Sequence, residues 1–204
     1  MTETINVENR VVFLRGFKTI LRPVDKKTDL EFFVKTMNDP EVAKFLAHRK
    51  PCTRGDEEKW FDNLSNRKDD IILAIEDIEK PGIIIGDMGI HQIDWMSRIA
   101  TTGAVIGDKN YWGKGYGSDA KMVFLDYAFN ELNLRKICSR VIGFNGRSVA
   151  YSKKCGYHEE GRLKEHHFRS GQYWDEILLS VFCEDWLPIW EYFKSHKGEF
   201  PPKS

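Results

Sequence analysis

The sequence predicts an α+β fold, a mixed β-sheet flanked by helices, and three features carry that prediction. Between Ile71 and Ile106 lie three strand-like apolar runs, broken by Pro81-Gly82 and by a polar turn at Ser97-Arg98, the pattern of an antiparallel meander. From Tyr111 to Lys154 the order becomes glycine-rich loop, helix, strand, helix, which implies a parallel crossover. Two more strand-like segments near the C-terminus, joined by Arg169-Ser170-Gly171-Gln172, read as a closing hairpin.

Each element has its own signal. Val11 to Leu14 and Thr19 to Leu21 are short apolar runs either side of Gly16, suiting a hairpin or a bent strand that Pro23 closes. Leu30, Phe33, Val34 and Met37 fall at i, i+3, i+4 and i+7, the spacing of a helix that Asp39-Pro40 stops. Val42, Phe45 and Leu46 suggest a short second helix. Thr53 reads as the N-cap of a third, with Asp56 in its first turn and Trp60, Phe61 and Leu64 on its inner face. The meander follows: Ile71 to Ile75, Ile83 to Ile93 and Ile99 to Ile106. After the glycine loop, Ala120, Val123, Phe124, Tyr127 and Ala128 mark a helical face. A strand from Lys136 to Ile142, a helix from about Gly146 to Lys154, strands from about His158 to Phe168 and Tyr173 to Phe182, and a helix over about 185–196 complete the chain.

Composition narrows the function classes. The 204 residues hold 31 basic and 31 acidic side chains, so bulk nucleic-acid binding is not expected. Hydrophobic residues make up 41%, charged residues 30%, and no apolar run approaches the roughly 18 residues of a membrane span. No linker rich in Pro, Gly or Ser interrupts the chain, so a single domain over 1–204 is expected, with its core at about 11–186. Met1 to Asn6 lack a basic stretch before an apolar core, so no signal peptide is expected. Cys52, Cys138, Cys155 and Cys183 form no CxxC pair and have no histidine at metal-ligand spacing. They read as reduced, buried thiols of a cytoplasmic protein. His166-His167 invites a metal reading, but adjacent side chains on a strand point to opposite faces, so no metal is expected there.

The most informative stretch is Trp112-Gly113-Lys114-Gly115-Tyr116-Gly117-Ser118, which follows a strand and opens a helix. Its glycines let backbone approach a ligand closely, and free N–H groups at a helix start form an anion site. A Walker A loop is disfavoured because Lys114 is not followed by Ser or Thr. A Rossmann loop is disfavoured by the glycine spacing and by the antiparallel-type strands that precede it.

These residues resemble the GNAT N-acetyltransferases, whose acetyl-CoA pyrophosphate loop reads Gln/Arg-x-x-Gly-x-Gly/Ala between a strand and a helix. Asn145-Gly146-Arg147-Ser148 followed by Cys155-Gly156-Tyr157 is similar to a downstream helix of that family. Leu21-Arg22-Pro23, Asn38-Asp39-Pro40, Glu160-Gly161-Arg162-Leu163 and Gly171-Gln172-Tyr173-Trp174-Asp175 resemble the branch of spermidine and ribosomal-protein N-terminal acetyltransferases. The resemblance spans about Val11 to Trp186.

The resemblance implies a sheet of about seven strands, splayed between the fourth (ending at Val105 and Ile106) and the fifth (Lys136 to Ile142). Acetyl-CoA is the implied co-substrate, its pantetheine arm lying in the splay beside Val105 and Ile106. Trp112, Gly113, Lys114, Gly115, Tyr116, Gly117 and Ser118 would hold the pyrophosphate, with Asn145 and Ser148 near the arm. Asn145 reads equally as a helix cap. The implied acceptor is a primary amine of a small molecule, a polyamine or a protein N-terminus, attacked directly in a ternary complex; a homodimer is a possible assembly. A non-catalytic acyl-CoA-binding module is the alternative.

Three positions depart from the family pattern. Trp112 stands where Gln or Arg is usual. Thr101 and Thr102 precede Gly103, where a glutamate often acts as base. The tyrosine that often protonates the leaving thiolate is replaced by Ser152, with Tyr151 one residue early, a rotation of about 100° on a helix. His91 is the expected side-chain base, since an ordinary histidine titrates near pH 6.5. The alternatives to His91 are Glu76, Glu165 or Asp175 lining the acceptor cleft, or a water chain in place of any single base.

Overall fold

The structure is a computed structural model, and it describes residues 11–202. One eight-stranded sheet runs through them in the order β1-β2-β3-β4-β5-β6-β8-β7. The expected bent first strand resolves into a hairpin of β1 (Leu14–Arg15) and β2 (Thr19–Pro23), which accounts for eight strands rather than about seven. Val11, Val12 and Phe13 lie outside β1.

The meander forms as the polar breaks dictate: β3 (Ile71–Asp77), β4 (Ile84–Asp94) and β5 (Ile99–Ile106), each antiparallel to the next. β5 then pairs in parallel with β6 (Lys136–Ile142), through α4 (Tyr116–Asp126). α5 (Gly146–Lys154) follows β6, held at its start by Asn145 and ended by Gly156 at φ +92°. β7 (His158–Arg169) and β8 (Gln172–Phe182) form the closing hairpin, and β8 rather than β7 pairs with β6. α6 (Cys183–Ser195) closes the chain.

The two sheet faces carry different helices. α4, α5 and α6 cover one. Ile85, Met88, Ile90, Met122, Phe124, Ile137, Val181, Trp186 and Phe193 are fully buried there. α1 (Lys26–Asn38), α2 (Pro40–Ala43) and α3 (Arg54–Asp62) cover the other through Leu30, Phe33 and Phe61. Asp39 stops α1 and caps α2, accepting from Glu41 N, and Thr53 with Asp56 forms a capping box on α3.

A buried ion network ties α1 to the sheet. Arg22 on β2 holds Asp29 with both terminal nitrogens, at 2.7 and 2.8 Å, and Glu76 on β3 through Nε at 2.6 Å. Glu76 also accepts from Gly82 N. Glu76 is therefore a structural anion bound to Arg22, not the acceptor-side carboxylate expected from its sequence position. All four cysteines are free thiols. No helix among the described residues is long and apolar enough to cross a membrane.

Candidate active site

The sheet opens at its centre. β5 and β6 pair only through Ile99↔Lys136, Ala100↔Ile137 and Thr101↔Cys138, while β5 stays paired to β4 as far as Ile106. From Thr102 to Ile106, β5 thus has one edge in the sheet and one facing a wedge between the strands. An unpaired strand edge presents N–H and C=O groups that an extended ligand can bond as an added strand does. The splay expected between the fourth and fifth strands lies here, between β5 and β6.

The glycine loop stands at the open end of this wedge. Gly113 and Gly115 sit at φ +73° and +88°, a conformation that side chains resist. Gly115 occupies the N-cap of α4, and no side chain caps that end. Gly117 packs toward the end of β5: a Cβ on it would lie 3.7 Å from Ile106 Cγ1. Asp119, in the first turn of α4, accepts from Phe17 N, Lys18 N, Thr19 N and Thr19 Oγ1 at 2.6 to 3.0 Å. This buried carboxylate fixes the β1–β2 hairpin against the loop, and it brings Lys18 Nζ to within 3.1 Å of the Lys114 carbonyl.

Trp112 has a definite task at its departure from the family pattern. Its indole Nε1 donates to the Ile106 carbonyl at 2.6 Å, closing the turn between β5 and the loop. The Arg147 guanidinium, from the first turn of α5, lies 4.2 Å from the Trp112 ring and 5.1 Å from Phe45. Lys18, Lys114 and Arg147 thus add positive charge around a helix N-terminus. Asn145 accepts from Ser148 N at 3.2 Å, so its side chain serves as the N-cap of α5. Val105 and Ile106 end β5, Tyr116 and Ser118 lie in the first turn of α4, and Ser148 lies at the start of α5.

His91 lies on β4 opposite Thr101, beside the vertex of the wedge. Two glycines make room for its ring: a Cβ on Gly89 would stand 2.6 Å from His91 Nε2, and one on Gly103 would stand 3.8 Å from it. Asp70 Oδ2 is 3.5 Å from the other ring nitrogen. Asp87 occupies the same face, two residues before Gly89, opposite Val105. It forms no ion pair among the described residues. Burial raises its carboxyl to about 7, and the neighbouring Glu57 of α3 adds to the shift. Nothing in the residues around Asp87 singles it out, because Glu57 of α3, which adds to its shift, lies far away in the chain.

The opposite face holds the expected thiolate acids. Ser152 is fully buried, and its hydroxyl finds no hydrogen-bond partner among the described residues. Tyr151 is packed against the core, and burial holds its phenol above the ordinary value. Lys121, unremarked in the sequence, lies between α4, β5 and α5 with no exposed surface.

The expectation for His166-His167 needs correction. Glu165 sits at φ +51°, and the β7–β8 register jumps between Leu163 and His167. This bulge turns both imidazoles to one side, where they and Glu176 bring ligand atoms within 4.8 Å of one another. Strand alternation therefore does not separate them. Glu176 is already held by His167 at 3.0 Å and by Arg140 at 3.2 Å. Asp175 accepts from Glu165 N at 3.0 Å, so the Asp175 carboxylate serves the bulge.

A splayed parallel strand pair with a glycine loop and helix N-terminus at its mouth defines a protein that binds a phosphorylated cofactor with an extended arm. The acetyltransferase (GNAT) domain model matches residues 18–158, and the chain belongs to that family. It is an acetyl-CoA-dependent N-acetyltransferase. Spermidine N(1)-acetyltransferase of Vibrio cholerae is 28% identical over 163 residues, covering 79% of this chain and 92% of its own. An uncharacterized N-acetyltransferase, p20, of Bacillus licheniformis is 26% identical over 171 residues, 78% and 89% of the two chains. The crystal structure of the Vibrio cholerae spermidine N-acetyltransferase with CoA and spermine superposes with a TM-score of 0.76 at 25% identity, covering 83% of this chain and 98% of that one.

Proposed function

We propose that this enzyme moves the acetyl group of acetyl-CoA directly to a primary amine of a small aliphatic polyamine, in a ternary complex. One observation carries the reading: β5 leaves β6 after three paired residues, beside an uncapped helix start. The pantetheine amides pair with the free edge of β5 around Val105 and Ile106. Backbone N–H groups of Gly115, Tyr116, Gly117 and Ser118 hold the pyrophosphate, with Lys18 and Arg147 adding charge. Relatives named for spermidine support the acceptor class.

The acceptor arrives as an ammonium and must lose a proton before it attacks. His91 takes that proton, its ring steadied by Asp70. The amine then attacks the thioester carbonyl carbon, and a β5 N–H stabilises the oxyanion. Collapse of the intermediate breaks the C–S bond and releases the amide and CoA.

A panel of acceptors, followed by free-thiol release from acetyl-CoA, tests this. Spermidine and spermine should turn over at least tenfold faster, in kcat/KM, than peptides with free N-termini. Acetylation of peptides alone would refute the acceptor class.

A further inference from the structure

Lys121 is a cation buried without a counter-ion among the described residues. Its Nζ donates to Thr102 Oγ1 at 2.8 Å and lies 5.3 and 5.1 Å from the ring centres of Tyr151 and Tyr157. An ammonium has three N–H donors, and the hydroxyl takes one. The groups facing it are Thr102 from β5, Tyr151 and Cys155 from α5, and Tyr157 just beyond α5. None is an anion: burial pushes the Cys155 thiol up to about 12 and holds both phenols above their ordinary values. Beside them the Ser152 hydroxyl is buried with no hydrogen-bond partner among the described residues. A buried ammonium without an anion is costly, so a folded protein that keeps one requires a reason.

Its position supplies the reason. Thr102 is the first β5 residue past the last β5–β6 pair, and its hydroxyl is 3.3 Å from the Cys138 carbonyl across the gap and 3.0 Å from Tyr157 Oη. Lys121 therefore lies at the vertex of the wedge, while the glycine loop lies at its mouth beside Ile106. Four residues of strand separate Ile106 from Thr102, about 13 Å at ~3.3 Å per residue. A pantetheine arm that starts at the loop and runs along β5 carries its sulfur toward that vertex.

We propose that Lys121 is the proton donor to the CoA thiolate, the anion that its pocket lacks until the reaction makes one. The inference rests on the wedge being the acetyl-CoA site. As the tetrahedral intermediate collapses, the C–S bond breaks and its electron pair stays on sulfur. A proton passes from Lys121 Nζ to that sulfur, leaving CoA thiol and a neutral lysine, which water reprotonates. The acceptor nitrogen loses two protons to solvent, one before attack and one as the amide forms, and solvent returns one to the lysine, so one proton net is released per turnover. Burial lowers the Lys121 ammonium to about 8, close to the ~8.5 of an ordinary thiol, so the transfer is nearly isoenergetic. Thr102 is a positioning residue that aims the amine.

Lys121→Met keeps the length of the side chain and removes the charge. Calorimetric titration of acetyl-CoA should give a Kd within threefold of wild type, while kcat with the best amine of the panel falls by about 10²-fold. Wild-type kcat should fall above pH 8 as Lys121 loses its proton, and that fall should be absent in the variant. A folded Lys121→Met protein with wild-type kcat overturns the inference alone. So does one that binds no acetyl-CoA, which would make Lys121 a packing residue of the cofactor site. Wild-type protein that binds no acetyl-CoA overturns the wedge reading together with the inference. If the methionine variant does not fold, Thr102→Val gives the answer: it should displace the alkaline limb, and an unchanged profile overturns the inference.

Discussion

Replacing Lys121 with methionine should make the protein more stable near neutral pH and lose that advantage in alkali. The lysine is fully buried, and desolvation lowers its ammonium from 10.5 to about 8. A shift of about 2.5 units corresponds to roughly 3 kcal/mol, at ~1.36 kcal/mol per unit. The sign follows from linkage. The unfolded chain holds the lysine proton up to about pH 10.5, whereas the folded chain releases it near 8. Wild-type stability therefore rises with pH through this window, and the whole penalty is present below pH 8. Methionine removes the penalty but also the 2.8 Å bond to Thr102, worth about 1 kcal/mol. The variant should thus be more stable by about 2 kcal/mol at pH 7 and less stable by about 1 kcal/mol at pH 10.5. Urea unfolding of both proteins at the two pH values measures this, and the shared titrations of tyrosines and cysteines cancel in the difference. An identical stability difference at pH 7 and pH 10.5 would refute the reasoning, because the lysine would then carry the same charge in both states.

Three further outcomes follow from the site. Asp119→Ala removes the acceptor of four hydrogen bonds from the β1–β2 hairpin and should cost about 3–5 kcal/mol in denaturant unfolding, with a raised KM for acetyl-CoA. His91→Ala should lower kcat by about 10²-fold at neutral pH and recover part of that loss at higher pH, where more acceptor arrives deprotonated. Asp87 carries a carboxyl raised to about 7, so its folded form keeps a proton that the unfolded chain sheds near 4. Wild-type stability should fall relative to Asp87→Asn as pH rises from 4 to 7, and parallel stability curves in thermal melts would count against the raised carboxyl.

Where local signals act alone, the sequence reads closely onto the structure. α5 runs from Gly146 to Lys154 as expected, since Asn145 caps its start and Gly156 ends it. β6 likewise spans Lys136–Ile142, where Ile137, Val141 and Ile142 supply β-branched side chains. The glycine loop and its helix were legible because positive φ and an uncapped helix start leave a mark in residue type. What escaped reading depends on residues distant in sequence. Asp87 gains its character from Glu57, Lys121 from Thr102 and Tyr157, and Trp112 from the carbonyl of Ile106 and the cation of Arg147. The His166-His167 pair was misread because alternation along a strand presumes a regular strand, and Glu165 breaks it with an αL residue that sequence does not announce.

Calorimetric titration of acetyl-CoA into wild-type protein and into Gly115→Val tests the central claim most directly. Gly115 holds φ +88° at the uncapped start of α4, where a β-branched residue is strained and shields the backbone from phosphate. Wild type should bind acetyl-CoA in preference to ATP, and Gly115→Val should lose at least tenfold in affinity while its circular dichroism spectrum stays native. Unchanged acetyl-CoA affinity in a folded Gly115→Val protein, or preference of the wild type for ATP, would contradict the account.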